Sequence, residues 1–281
     1  MKHLPTGAAR VAGVVGQPIR QSLSPFLHTA WLRHMGLNGV YAPFAPADDH
    51  AFERLILSCR TNGIKGLNIT APFKELALKL ADTSTDLARR CGSANLLTFD
   101  EDGSVHADST DGHGLIQAFH LQAPDCDLTA GAVTLLGAGG ASRAVVAALL
   151  DKGCRDVRIV NRTVARAEEI VFAFKEGVSA YALSDIDRAF AGSVAVINAA
   201  SGGPLPLFDA LDPSATAMDM TYRPLKTNWL QAAEARGLKT VDGLMMLIEQ
   251  ARPSFAAFYG QAPDADFDVR GLALEFLGET K

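Results

Sequence analysis

Apolar residues recur along the chain in short blocks separated by turn-forming residues, and the blocks alternate in kind. Residues 11–15 form a β-branched apolar run that ends at Gly16-Gln17-Pro18, which predicts a buried strand and a turn. Ser24-Pro25 then opens a stretch with Leu27, Ala30, Trp31 and Met35 on one helical face, closed by Gly36 and Gly39. Residues 40–45 predict the next strand, 51–59 a helix, 66–70 a strand and 72 onward another helix. Residues 95–99 and 105–107 read as a strand pair joined by the acidic turn Glu101-Asp102-Gly103. Asp111 is well typed as the N-cap of a helix with Leu115, Ile116 and Phe119 on one face. A polar stretch, 122–129, follows, and the alternation restarts: strand 132–136, helix 142–150, strand 156–160, helix 165–174, then strands 194–198 and 217–220. Residues 244–258 carry apolar side chains at helical spacing, with Pro253 expected to bend that helix or set a boundary in it. Such alternation predicts an α/β fold with a mainly parallel sheet.

Composition narrows the class. Hydrophobic residues make up 48% of 281, enough to bury a sizeable core in one large or two modest domains. A formal net charge of -5 argues against nucleic acid or an anionic membrane surface as the main partner, while leaving small anionic ligands open. Cys59, Cys91, Cys126 and Cys154 are widely spaced, without a CxxC or a nearby His pair, so they read as reduced thiols and no metal is expected. Residues 1–10 read as a short tail rather than a signal peptide, and no apolar run reaches membrane-span length, so a cytoplasmic protein is expected.

The strongest local signal is Val133-Thr-Leu-Leu-Gly137-Ala138-Gly139-Gly140-Ala141-Ser142, an apolar strand, a glycine turn and a small-residue helix start. Glycine permits the tight turn and close approach to a pyrophosphate, and the helix start offers free N–H groups and a positive dipole end. Ser142 stands where the third glycine of GxGxxG would be. The following strand runs into Asn161-Arg162-Thr163, with Arg166 a turn later and no acid over 161–163. An NAD site wants an acid there for the ribose hydroxyls, whereas a guanidinium suits a 2′-phosphate. The cofactor expected is therefore NADP, with Arg162 and Arg166 on the phosphate and Thr163 as a hydroxyl donor. A solvated, charged helix start is the bland alternative.

In the first third, Ser22 and Ser24 offer two hydroxyls beside a turn, and Asn68, Thr70 and Lys74 offer an amide, a hydroxyl and an amine. Asn68 and Thr70 alternate by two, so on a strand they share a face. Lys74 sits in the first turn of a predicted helix, where the dipole disfavours a cation and eases its deprotonation for acid/base work. On spacing alone it reads equally as a surface lysine, and Asp111 equally as a simple cap.

Taken together, the strings GQPIRQSLSPFLH, GLNITAPFKELA, STDGHG, LLGAGGASRA, NRTVAR, INAASGG, MDMTYRPLKTNWL and DGLMMLIEQ resemble the shikimate dehydrogenase family, in that family's order and over nearly the whole chain. The resemblance implies two domains: an N-terminal α/β substrate-binding domain, residues 1–111 plus 246–281, and a Rossmann-like NADP domain, residues 112–245, with the active-site cleft between them. It implies Lys74 and Asp111 as the catalytic pair and Ser22 and Ser24 on the substrate carboxylate, which Tyr222 approaches as well. Asn68, Thr70, Asn95 and Gln250 would bind ring hydroxyls. Gly137, Ala138, Gly139, Gly140, Ala141, Asn161, Arg162, Thr163, Arg166 and Gly243 would hold NADP. The implied reaction is reversible NADPH-dependent reduction of 3-dehydroshikimate to shikimate, on a small-molecule substrate, by a monomer or homodimer. Departures from the family pattern fall at Gln21, Thr29, Leu96, Ser109, Met245 and Ala251; none removes Lys74 or Asp111. Quinate or an amino analogue as substrate is the nearest alternative, followed by a non-catalytic NADP-binding sensor and a folate-linked dehydrogenase.

Overall fold

The computed structural model describes residues 4–200, 202–203 and 205–279. Residues 1–3 of the expected tail and Ser201 of the INAASGG string lie outside the described residues. The chain divides into two compact units, Met1–Thr110 with Gln250–Lys281, and Asp111–Glu249.

The first unit carries β1 (Arg10–Val15), α1 (Ser24–His34), β2 (Gly39–Phe44), α2 (Asp49–Cys59), β3 (Ile64–Ile69), α3 (Lys74–Leu80), β4 (Thr83–Ser84), α4 (Asp86–Cys91), β5 (Leu96–Phe99) and β6 (Val105–Asp108). Its six strands lie in the order β2-β1-β3-β5-β6-β4. β1 pairs in parallel with β2 and β3, but β5 is antiparallel to both β3 and β6, so this sheet is mixed rather than mainly parallel. The acidic turn expected at Gly103 is the hairpin between β5 and β6, with Gly103 at φ 84°. One core packs Phe52, Ile56, Leu67, Ile69, Phe73 and Leu97 together.

The second unit begins with α5 (Asp111–Gln122), followed by β7 (Ala132–Leu136), α6 (Gly140–Lys152), β8 (Val157–Asn161), α7 (Val164–Phe174), β9 (Val178–Ala182), α8 (Ile186–Phe190), β10 (Ser193–Asn198), β11 (Thr216–Asp219), α9 (Asn228–Ala235) and β12 (Lys239–Asp242). All its strand pairs are parallel, in the order β12-β11-β10-β7-β8-β9, which is the 6-5-4-1-2-3 order of a doubly wound sheet. β7 is buried at every position, as expected of a strand covered on both faces. Two apolar clusters flank this sheet, one around Leu115, Val145, Leu149 and Ile159, the other around Phe190, Phe208, Trp229 and Leu230.

α10 (Gly243–Tyr259) runs without a break through Pro253, so the boundary allowed for there does not form. α11 (Val269–Leu277) follows, and its Asp268 cap accepts the Gly271 N–H at 2.7 Å. None of the four cysteines is in a disulfide, and Cys59, Cys91 and Cys154 are buried. Among the described residues no helix is long and apolar enough to cross a membrane, and no cluster of metal-ligating side chains occurs.

Candidate active site

In the first unit the chain leaves β1 toward β2 on one side and reaches β3 on the other. Beyond the carboxyl ends of such a strand pair lies the crevice where open α/β sheets bind ligands. Val15 and Ile69 lie side by side there, and Gln17 N donates to Ala71 O at 3.0 Å while Thr70 N donates to Val15 O at 2.8 Å. A Cβ on Gly16 would sit 2.2 Å from the Thr70 methyl, so glycine is what lets the two segments close. Half-buried Ser22 accepts the Ser24 N–H at 3.4 Å, and buried Ser24 opens α1. Both hydroxyls thus sit at a helix start, whose positive dipole end suits a carboxylate.

Behind this edge lies a buried network of amides and hydroxyls. Asn95 Nδ2 donates to Thr110 Oγ1 at 3.0 Å and to Gln250 Oε1 at 3.2 Å, and Asn95 Oδ1 accepts the Thr110 N–H at 2.7 Å. Asn68 Nδ2 donates to the Asn95 carbonyl at 3.2 Å and to Ser254 Oγ at 2.8 Å, and Asn68 Oδ1 accepts the Tyr41 hydroxyl at 2.7 Å. The structure therefore brings Asn68, Asn95 and Gln250 together, and both N–H bonds of Asn68 are already committed to the protein. Thr110, Tyr41 and Ser254 complete the network. Sequence spacing did not single them out, since Ser254 lies 186 residues from Asn68.

Lys74 is the first residue of α3 and half-buried, as its place after Pro72-Phe73 predicts. Its carbonyl accepts the Ala94 N–H at 2.9 Å, which ties the lysine main chain to the residue beside Asn95. Asp111 is the first residue of α5 rather than its cap, and it is buried. An acid in a first turn is favoured by the dipole. Lys74 falls in the first unit and Asp111 in the second.

Tyr222 lies half-buried in the loop after β11. That loop is held by buried Asp219, which accepts from Asn198 Nδ2 at 3.1 Å, Thr221 N at 2.9 Å and Thr227 Oγ1 at 2.8 Å. Thr227 in turn caps α9 by accepting the Leu230 N–H at 3.2 Å. Gly243 opens α10, and a Cβ there would meet Met220 O at 2.4 Å and Thr221 O at 2.7 Å. Only glycine lets the helix start lie against the Tyr222 loop.

The glycine turn forms as predicted between β7 and α6. Gly137 takes φ 104°, and a side chain on it would strike the Ala200 backbone nitrogen at 2.9 Å. Ser142, buried in the first turn, accepts the Gly139 N–H at 3.1 Å and donates to Gly137 O at 3.0 Å, so it holds the turn that a third glycine would merely permit. A Cβ on Gly139 or Gly140 would meet nothing within 4 Å, which leaves open space in front of the helix start. A cavity of about 260 Å³ opens there. Gly137, Ala138, Gly139, Asn161, Arg162 and Arg166 line it; Gly140, Ala141, Thr163 and Gly243 do not. Its far wall is Ala199, Ala200, Gly202 and Gly203 after β10, on the other side of the strand-order reversal. The small residues of INAASGG were the legible signal for that wall. Asn161 Nδ2 donates to Thr163 O at 2.8 Å, and the Thr163 hydroxyl makes no cap bond to α7. Among the described residues neither Arg162 nor Arg166 is in an ion pair, and no acid lines the cavity. An open glycine turn, a facing small-residue wall and two uncompensated guanidiniums fit a dinucleotide with an extra phosphate.

Two family models match the chain: "Shikimate dehydrogenase substrate binding domain" over residues 14–97 and "Shikimate / quinate 5-dehydrogenase" over residues 121–217. A protein of Caulobacter vibrioides named shikimate dehydrogenase (NADP(+)) is 52% identical over 99% of this chain and all of that one. Among solved structures, shikimate 5-dehydrogenase of Listeria monocytogenes in complex with shikimate and NAD superposes with a TM-score of 0.88 at 27% identity, covering 97% of this chain and 99% of that one. The Thermus thermophilus enzyme in complex with NADP(H) and shikimate gives 0.80 at 32% identity, over 90% and 95%. With a match of this extent added to the glycine turn, the paired arginines and the buried amide network, the chain belongs to the shikimate dehydrogenase family.

Proposed function

We propose that the chain catalyses the reversible NADPH-dependent reduction of 3-dehydroshikimate to shikimate, a step toward aromatic amino acids. The observation that carries this reading is the buried Asn68–Asn95–Thr110–Gln250 network beside Lys74, a set of amides and hydroxyls suited to a polyhydroxylated ring. Residues 1–111 plus 246–281 hold the substrate, and residues 112–245 form a Rossmann-like domain for NADP. This agrees with the NADP named for the 52% identical relative and with the paired arginines. The enzyme works in the cytoplasm on a small molecule.

The cofactor held by the glycine turn would supply hydride to the substrate C3 carbon as NADPH in reduction and accept it as NADP+ in oxidation. Ser22, Ser24 and Tyr222 hold the carboxylate, and Asn68, Thr70, Asn95 and Gln250 orient the ring through its hydroxyls. Lys74 gives a proton to the C3 oxygen during reduction and accepts it during oxidation. Asp111 keeps Lys74 and the substrate hydroxyl in register. Gly137, Ala138, Gly139, Gly140 and Ala141 receive the pyrophosphate, Asn161, Arg162, Thr163 and Arg166 the adenosine 2′-phosphate end, and Gly243 the nicotinamide end.

The test is product identity. The protein, incubated with 3-dehydroshikimate and NADPH, should yield shikimate, read by mass and NMR, with one NADPH consumed per product. Unchanged 3-dehydroshikimate would remove the proposal. Quinate is the second substrate to weigh, since one family model covers both activities and an added hydroxyl is weakly rejected by most pockets.

A further inference from the structure

The orientation of the Asn68 amide is forced by its neighbours. The Asn95 carbonyl can only accept, so the Asn68 atom 3.2 Å from it must be the NH2 nitrogen. The second N–H of that nitrogen goes to Ser254 Oγ at 2.8 Å, and Ser254 passes its own proton on to Gln250 O at 3.5 Å. Oδ1 then faces Tyr41, whose hydroxyl must donate to it across 2.7 Å. Tyr41 is buried, and its ring stacks on His28 at 3.9 Å between centroids. Burial holds the phenol in its protonated form, and Ser24 is a further side-chain partner of the same hydroxyl. Only one lone pair of Asn68 Oδ1 is left for a ligand.

We propose that Tyr41 is a positioning residue that fixes the Asn68 amide, so that Asn68 meets the substrate as an acceptor only and reads a ring hydroxyl that donates. The inference rests on the assignment of Asn68 to the substrate site. A ring position bearing an ether or no oxygen has no proton to give, so Asn68 discriminates by hydrogen-bond polarity as well as by shape. Tyr41 also touches Ser24, and thereby joins the carboxylate-binding end of the site to the hydroxyl-binding end.

The test compares wild type with Tyr41→Phe, which keeps the ring and its stack on His28, and with Tyr259→Phe. The latter removes a neighbouring phenol bond that goes to the Val40 carbonyl at 3.0 Å and not to Asn68. Steady-state kinetics and calorimetric binding of shikimate, 4-deoxyshikimate and 5-deoxyshikimate are measured. In Tyr41→Phe, KM and Kd for shikimate should rise about five- to tenfold, as expected for one lost neutral hydrogen bond. KM for NADP should not change, and kcat should stay within about threefold. Tyr259→Phe should leave all of these unchanged. The Tyr41→Phe penalty should vanish with the one deoxy analogue that lacks the hydroxyl read by Asn68. Ser254→Ala, which releases the same amide from its other side, carries the test if Tyr41→Phe does not fold. An unchanged Kd in Tyr41→Phe, an equal rise in Tyr259→Phe, or a penalty that survives with both analogues would overturn the inference while leaving the function standing. A wild-type protein that neither binds nor turns over shikimate would instead remove the function, and this inference with it.

Discussion

Replacing Arg162 by Gln tests the phosphate site directly. Arg162 follows the last residue of β8, and Arg166 lies in the first turn of α7; both are exposed, and both line the 260 Å³ cavity with the glycine turn. A charge-assisted hydrogen bond to phosphate contributes about 1.5–3 kcal/mol, and solvent exposure puts Arg162 near the lower end. A loss of about 1.5–2 kcal/mol is a fall of roughly 10- to 30-fold in kcat/KM for NADP. NAD carries no 2′-phosphate, so its kcat/KM should change by less than about twofold. The assay is initial-rate oxidation of shikimate with each cofactor at two ionic strengths. Screening acts on exposed charges over about 10 Å at 0.1 M salt, so the NADP preference of wild type should shrink as salt rises. In a double variant, Arg162→Gln with Arg166→Gln, it should be flat. Equal falls for NADP and NAD, or none for either, would refute the 2′-phosphate assignment.

Other consequences concern the buried polar groups. Thr110→Val removes the hydroxyl that accepts from Asn95 and leaves Gln250 Oε1 with one partner fewer; urea unfolding should show a loss of about 2 kcal/mol, with KM for shikimate raised more than KM for NADP. Asp219→Ala strips the acceptor from Asn198, Thr221 and Thr227, so the Tyr222 loop should lose protection in hydrogen exchange while β7 and β8 keep theirs. His28 is fully buried, and that desolvation lowers its pKa from 6.5 to about 3. Below the ordinary value the unfolded chain takes up a proton that the folded chain refuses, so the His28 contribution is intact above about pH 6.5 and is lost as pH falls toward 3. By pH 5 the loss is about 2 kcal/mol, and His28→Phe should lack that part of the slope in urea unfolding; parallel slopes would contradict it. Lys74→Ala should lower kcat at least on the order of 100-fold, and a near-normal kcat would remove its proton-transfer role.

Much of this arrangement was legible in the chain, for identifiable reasons. β7, the glycine turn and α6 follow from an apolar run, a required positive φ and a small-residue helix, all local features. α1 and α10 follow from apolar spacing at helical period. The short edge strands β4 and β12 are not legible in the sequence, although the edge strand β2 is. β4 has two residues, and β12 has one fully buried side chain, Val241, so neither shows a period. The antiparallel placement of β5 against β3 was missed because a run of alternating elements does not encode strand direction. The spacing of two between Asn68 and Thr70 orders side chains only along a strand, and β3 ends at Ile69, one residue before Thr70; no spacing reveals that Asn68 has both donors engaged. That depends on Ser254, brought to it from the far end of the sequence by α10. Asp111 shifted from cap to first helical residue because Thr110, whose N–H is held by Asn95, occupies the place before it.

The most direct measurement is nicotinamide reduction, followed by absorbance, with the purified protein offered shikimate or quinate, each with NADP and with NAD. Shikimate with NADP should be the fastest pair, by about tenfold or more over shikimate with NAD, in keeping with two guanidiniums on the 2′-phosphate. Turnover confined to quinate or to NAD, or no turnover with any pair, would contradict the assignment.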